Sequence, residues 1–230
     1  MTQLTIPKHL AFILDGNRRW AQIRGKPTFF GHKKGIESVK NILIHAQKLG
    51  IKIITVYGFS TENWNRSEKE VNYLMNLFES FINRHIQNFH KRGISLRHLG
   101  AIERLPQTLQ KKIKQAIALT KNNEELIFNI ALNYGGRDEV VRTVKKIIKK
   151  GHKEKDITME LINKNLDTGG LPDPDMIIRT SGEKRLSGFL PWQGTYSELY
   201  FPAIHWPDFD EKALDETIKE YNKRQRRFGK

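Results

Sequence analysis

Asp15, Gly16, Asn17, Arg18 and Arg19 place a carboxylate, a flexible backbone unit, an amide and two guanidinium groups in immediate succession. They follow the apolar run Leu10 to Leu14 and precede Trp20. An Asp-Gly pair often does no more than turn the chain after a strand. The cations beside it suggest another use: an anion held by backbone N–H groups and arginines, with its metal held by the carboxylate. Three more stretches carry similar groups: "FSTENWNRS" (59–67), "NYGGR" (133–137) and "RTSGEKRLSGF" (179–189). Gly16, Gly135, Gly136, Gly182 and Gly188 would let a ligand approach the backbone closely. Arg19, Arg66, Arg137, Arg179 and Arg185 suit bidentate phosphate contacts. Ser60, Thr61, Ser181 and Ser187 add hydroxyl donors. Carboxylates in these surroundings are few: Asp15, Glu62, Glu198 and Asp208. Many cations around one or two carboxylates match a polyphosphate with Mg²⁺, which takes oxygen ligands and shares them with substrate phosphates. The chain has neither a Walker A sequence nor a full dinucleotide G-x-G-x-x-G, which disfavours an ATPase or a nicotinamide enzyme.

The elements that must position these groups alternate. Strand patterns run over Leu10–Leu14, Lys52–Phe59, Ile94–Leu99, Leu126–Leu132 and Asp175–Arg179. Helical patterns run over Gly31–Leu49, Ser67–Arg92, Pro106–Lys121, Arg137–Lys150, Met159–Asn165 and Asp210–Arg226. Nearly all-apolar strands between helices predict an α/β fold: one domain over residues 1–230, a mostly parallel sheet with helices on both faces. All four polar stretches follow strands. In such a sheet the carboxyl ends of the strands share one edge, so the four should converge there. Ser67 and Glu70 form a capping-box pattern at the start of the longest helix. Its apolar stripe, Val71, Leu74, Met75, Phe78, Phe81, Ile82, Ile86 and Phe89, suffices for a core and could also wall an elongated apolar tunnel.

The 230 residues carry a net charge of +15 and no cysteine. The missing cysteines exclude a disulfide framework, a thiol nucleophile and a cysteine-based zinc site. The charge calls for polyanionic company: nucleic acid, an anionic membrane face or phosphorylated substrates. Cations thicken at 141–155 and in the tail "NKRQRRFGK" (222–230). Solvated helix faces explain most of them; the tail could hold the protein near anionic lipid at roughly 1 kcal/mol per cation. No recognisable nucleic-acid module accompanies the charge. The lack of a bilayer-length apolar stretch or a signal-peptide run leads us to expect a cytoplasmic protein, with possible peripheral membrane contact.

The segments "ILDGNRRWA" (13–21), "GHKKG" (31–35), "YGFSTENWNRS" (57–67), "NYGGRDEV" (133–140), "PDMIIRTSGEKRLSGFLPWQ" (174–193) and "ELYFPAIHWPDF" (198–209) together resemble the cis-prenyltransferase family. They occur in family order over nearly the whole chain, and the D-D-x-x-D motifs of trans-type enzymes are absent. The resemblance implies a Mg²⁺-dependent homodimer. It would extend farnesyl diphosphate with isopentenyl diphosphates, each new double bond cis, by default to undecaprenyl diphosphate, a lipid-carrier precursor for cell-wall polysaccharide.

It also implies residue roles. Asp15 would be the metal-associated aspartate, and Gly16, Asn17, Arg18 and Arg19 would cradle the allylic diphosphate, helped by a helix starting just after them. Trp20 and Trp64 would border the substrates, where an aromatic face can stabilise cationic character. His32 would stand near the diphosphate. Asn63 falls at a position tied to proton removal; an amide is a poor base, so it is read as a positioner, with diphosphate or water taking the proton. Ser60, Thr61, Glu62 and Arg66 complete that wall. Arg179, Arg185, Leu186 and Ser187 match the isopentenyl diphosphate site. Glu198 matches a second metal-associated carboxylate that reaches the neighbouring subunit's site. Arg18 stands where many bacterial relatives have glycine. Thr28 stands where the family commonly has an arginine facing the diphosphate, a loss that Lys26 or Arg24 would have to offset. A non-catalytic partner subunit of this family should lack the aspartate and arginine set, and here Asp15, Arg179 and Arg185 are all present.

Overall fold

The computed structural model describes residues 4–224. The chain runs β1 (His9–Ile13), α1 (Asn17–Ile23), α2 (Thr28–Lys48), β2 (Ile53–Ser60), α3 (Glu68–Lys91), β3 (Ile94–Leu99), α4 (Gln107–Thr120), β4 (Leu126–Tyr134), α5 (Gly136–Lys149), α6 (Met159–Asn165), β5 (Met176–Arg179), β6 (Glu198–Tyr200) and α7 (Glu211–Asn222). The basic tail beyond residue 224, with the expected helix end at Arg226, lies outside the described residues.

All six strands pair in parallel, in the order β3-β4-β2-β1-β5-β6. The apolar strands are buried on both faces, as their composition requires. Alternate residues of β1 serve opposite faces: Leu10 and Phe12 join the large cluster packed by α2, α3, α4 and α7, while Ala11 and Ile13 join a smaller one. The smaller face is covered largely by Phe189 and Leu190 of the β5–β6 connection. The expectation of helices on both faces is therefore met unevenly.

The chain leaves β1 to build β2 on one side and later returns to build β5 on the other. The β1/β5 seam is the switch point of the sheet, and ligands of open α/β sheets bind outside the strand ends at such a seam. Ile13 is in register with Arg179. The loop carrying Asp15 and the loop carrying Arg179 thus emerge side by side.

Two departures from the sequence pattern concern short elements. β6 has three residues, one of them charged, too few to show alternation. α1 has seven and buries only Trp20 and Ala21; it is the helix expected just after Asp15. At α3, Ser67 Oγ accepts the Glu70 N–H at 3.4 Å, but the Glu70 carboxylate is drawn to Arg66 instead of completing the capping box.

Candidate active site

Asp15 organises the polar end of the site. Its Oδ2 accepts from Arg179 Nη2 at 2.9 Å and Nε at 3.2 Å, and its Oδ1 accepts from Arg19 at 3.2 Å and from the Gly16 N–H at 2.6 Å. Burial alone would raise the Asp15 carboxyl; the two guanidinium groups outweigh it and hold the pKa below the ordinary carboxylate value. Arg179 is nearly buried, and its Nη1 also donates to the Arg185 carbonyl and to Ser187 Oγ, both at 2.7 Å. One arginine therefore ties the strand-end aspartate to the whole Arg185–Ser187 turn.

Gly16 is required by the closeness of its neighbours. Its φ is +100°, and a Cβ there would fall 2.0 Å from Ser181 Oγ and 2.7 Å from His205 Nδ1. Ser181 and His205 are themselves hydrogen-bonded, and Thr180 Oγ1 donates to the Asp15 carbonyl at 2.7 Å. The turn after β1 is thus clamped between the β5–β6 loop and the segment before α7.

A second carboxylate gathers the other cations. Glu70 takes Arg66 at 3.1 Å and lies 3.7 Å from His32 Nε2 and 4.0 Å from Arg18. Burial first, then the Arg66 and Arg18 charges, lower the His32 pKa to about 4, with Glu70 opposing. The imidazole is neutral at pH 7, and its buried Nε2 has no hydrogen-bond partner. Asn17 Oδ1 is likewise buried and unpartnered. Both residues line one cavity of about 540 Å³, leaving polar atoms there for a ligand to satisfy.

That cavity brings together Asp15, Gly16, Asn17, Arg18, Arg19, His32, Ser60, Asn63, Arg66, Arg179 and Ser187, eleven of the residues singled out from sequence. Asn63 Oδ1 accepts the Ser60 N–H at 3.1 Å, so its amide N–H₂ is what it can offer a substrate oxygen. The remaining expected residues do not line it. Trp20 is buried, donates to Asp208 at 2.7 Å and carries Arg24 over its ring at 4.4 Å; it supports α1 from behind. Asp208 is engaged there and does not face the ligand space. Trp64 donates to Asn133 at 2.8 Å, with Arg104 over its ring. Thr28, Thr61 and Glu62 lie off the cavity wall, and Leu186 packs on the smaller core cluster. Arg185 is exposed and pairs with Glu183, which also accepts from Arg19 at 3.1 Å. Glu198 starts β6 opposite Met176, at the far end of β5 from Arg179, and pairs with Arg224 at 3.1 Å. Within one chain it is not part of the Asp15 cluster.

The "NYGGR" glycines serve the fold rather than a ligand. The Gly136 N–H donates to the Gly188 carbonyl at 2.8 Å, and a Cβ there would strike Pro191. Fully buried Glu139 accepts from Tyr134 at 2.5 Å and from Gln193, tying the end of β4 to the β5–β6 connection. Burial raises the Glu139 carboxyl, with those donors opposing. Arg137 is exposed.

Beyond the cations the cavity turns apolar, walled by Leu74, Leu77, Phe78 and Phe81 of α3, with Val39 of α2 and Phe128 of β4 opposite. Leu77 was absent from the sequence stripe, and Ile82, within it, is buried in the core instead. Glu183, Tyr57 and Gln22 were not singled out from sequence, and Glu70 was read there only as part of a helix cap. Glu183 had the clearest signal, a carboxylate between two anion-binding arginines.

Among the described residues Asp15 is the single carboxylate on the cavity wall, beside four arginines. Among the described residues no group of three His, Asp or Glu could hold a metal. Such a wall suits a divalent ion that shares the oxygens of a diphosphate, and does not suit a metal held by protein alone.

Residues 13–229 match the family model described as "Putative undecaprenyl diphosphate synthase". Isoprenyl transferases of Streptococcus pneumoniae (strain R6) and Streptococcus mutans are each 50% identical to the chain, covering 97% of it and 92% and 93% of their own lengths. The structure of lavandulyl diphosphate synthase from Lavandula x intermedia, in complex with dimethylallyl diphosphate, superposes with a TM-score of 0.94 at 36% identity, over 98% of this chain and 99% of that one. That of a "probable undecaprenyl diphosphate synthase" from Campylobacter jejuni gives 0.82 at 32% identity, with both chains fully covered. The family model, the relatives and the folded neighbours agree with the cavity, and the chain belongs to the cis-prenyltransferase family.

Proposed function

We propose that the protein condenses isopentenyl diphosphate units onto farnesyl diphosphate to give undecaprenyl diphosphate, precursor of the lipid carrier for cell-wall polysaccharide, as a Mg²⁺-dependent homodimer. The observation that carries this reading is one cavity with an arginine-rich end built on Asp15 and an apolar end walled by α3. A prenyl diphosphate has those two ends in that order.

The allylic diphosphate lies over the Gly16–Arg19 turn, where Arg18, Arg19 and the neutral His32 meet its oxygens. Its chain follows the α3 wall, favoured by roughly 25 cal/mol per Å² of apolar surface removed from water. Isopentenyl diphosphate lies against Arg179, Arg185 and Ser187, with Asn63 and Ser60 positioning its reacting end. The new bond joins C1 of the allylic chain to C4 of isopentenyl diphosphate. The allylic C1–O bond breaks, diphosphate departs, and C2 of the incoming unit loses a proton to diphosphate or water. Asp15 is the residue that would hold a Mg²⁺ ion here, whose charge would offset the charge developing on the leaving group. With an ion held, Asp15 would give up part of its arginine contacts, and Arg19 and Arg179 would be free to meet phosphate.

The homodimer draws support from exposed apolar side chains along one face of α5: Val141, Val144 and Ile148. In that assembly the Glu198 carboxylate would serve the neighbouring site. The test is incubation with farnesyl diphosphate, labelled isopentenyl diphosphate and Mg²⁺, with the products sized. Undecaprenyl diphosphate that fails to form in EDTA supports the reading. Products that stop after one condensation refute the chain length, and metal-independent synthesis refutes the ion.

A further inference from the structure

The last residue of α1 and the first turn of α2 expose apolar side chains where a folded surface would normally hide them. Ile23 is 72% exposed, Phe29 44% and Phe30 42%. The two phenylalanine rings stack at 4.5 Å, and Tyr73 of α3 closes one side, its hydroxyl donating to the Phe29 carbonyl. The patch sits on the rim of the cavity. Gln22 lines the cavity and precedes Ile23; His32, in the next turn of α2 after Phe29, lines it too.

The charge around this patch has one sign. Residues 18 to 36 hold six arginines and lysines and no aspartate or glutamate. Three are engaged by carboxylates from elsewhere: Arg18 by Glu70, Arg19 by Asp15 and Glu183, and Arg24 by Asp208. Lys26 stands about 6 Å over the Trp20 and Phe30 rings and, with Lys33 and Lys34, makes no ion pair among the described residues. Apolar rings flanked by uncompensated lysines suit the boundary of an anionic bilayer: the rings enter the headgroup region and the ammonium groups meet lipid phosphates. Lys26 can keep its charge at the phosphates while Phe30 goes deeper.

We propose that Ile23, Phe29 and Phe30, with Lys26 and Lys33, form a docking surface for an anionic lipid bilayer, which brings the cavity mouth against the membrane. This inference rests on the proposed synthesis for its purpose, since a long apolar product has to leave the cavity without crossing water. Docking itself requires only the patch.

The experiment is co-sedimentation of the full chain with vesicles of phosphatidylcholine, with and without phosphatidylglycerol. The wild type is expected to sediment with the anionic vesicles, less so as salt rises. Ile23→Ser/Phe29→Ser/Phe30→Ser should lower the bound fraction on the order of tenfold, and Lys33→Glu should lower it on anionic vesicles only. Both variants should keep the wild-type melting temperature and wild-type turnover of farnesyl diphosphate in detergent. Turnover without vesicle binding would sink the docking surface and spare the proposed function; binding without turnover would do the reverse. Wild-type binding by the triple variant would place membrane contact elsewhere, including the basic tail, and overturn the inference. A fall in oligomer mass in the triple variant would make the patch a contact between copies and overturn it as well.

Discussion

At the scale of single residues, Asp15 and Arg179 define each other. The carboxylate holds the guanidinium in place, and the guanidinium holds the Arg185–Ser187 turn. Arg179→Ala and Arg185→Ala should mainly raise the KM for isopentenyl diphosphate, each lost charge-assisted contact costing on the order of 1.5–3 kcal/mol. Arg19→Ala should disturb the allylic substrate more. Equal effects of all three on both substrates, in steady-state kinetics, would contradict the two sites. The histidines give a stability signature. Burial lowers the His9 pKa to about 4, against the raising effect of the Pro172 carbonyl, and His32 is lowered to about 4 as described. Both are neutral in the fold and bind a proton near pH 6.5 once unfolded. Their contribution is complete above pH 6.5 and is lost as pH falls towards 4, at up to about 1.4 kcal/mol per pH unit for each. Urea unfolding across that window should show the slope, and His9→Gln should flatten it; an unchanged slope in the variant would contradict the assignment. Residue types and motif order made Asp15, Arg179 and Ser187 legible in the sequence. They could not separate the tryptophans that border a ligand from those that brace a helix, because Trp20 and Trp64 are oriented by Asp208 and Asn133, distant in sequence.

Elements decide the shape of the cavity. The parallel sheet and its convergent loops were legible because buried strands read as unbroken apolar runs. β6 was not, having three residues. Helical periodicity identified α3 as amphipathic but could not divide its apolar face between core and cavity. That division depends on where α2 and β4 stand: Leu74, Leu77, Phe78 and Phe81 face the space, and Ile82 does not. Leu77→Trp and Leu74→Trp are expected to shorten the products while sparing the first condensation. Ile82→Trp should destabilise the fold by about 1–3 kcal/mol through overpacking, without a shorter product. Product sizing by chromatography, with melting curves for each variant, checks both. An unaltered product distribution in folded Leu74→Trp and Leu77→Trp would move the length ruler away from α3.

The whole molecule adds what one chain lacks. Glu198 lies far from Asp15 in its own subunit, and the apolar row on α5 is unpartnered among the described residues. The proposed dimer accounts for both. Ile148→Arg should yield monomers by sedimentation and cut turnover while the chain stays folded; a fully active monomer would refute shared sites. Sequence implied the dimer only through family resemblance, since a monomer's strand pattern says nothing of its neighbours. The central claim is that the Asp15 end of the cavity is where prenyl transfer takes place. Its most direct test compares incorporation of labelled isopentenyl diphosphate by wild type and Asp15→Ala with Mg²⁺ present. Removing the carboxylate leaves a nearly buried Arg179 short of a partner, so stability should fall by about 1–3 kcal/mol with the fold retained by circular dichroism. Turnover is predicted to drop about a hundredfold or more; near-normal turnover by folded Asp15→Ala would contradict the account.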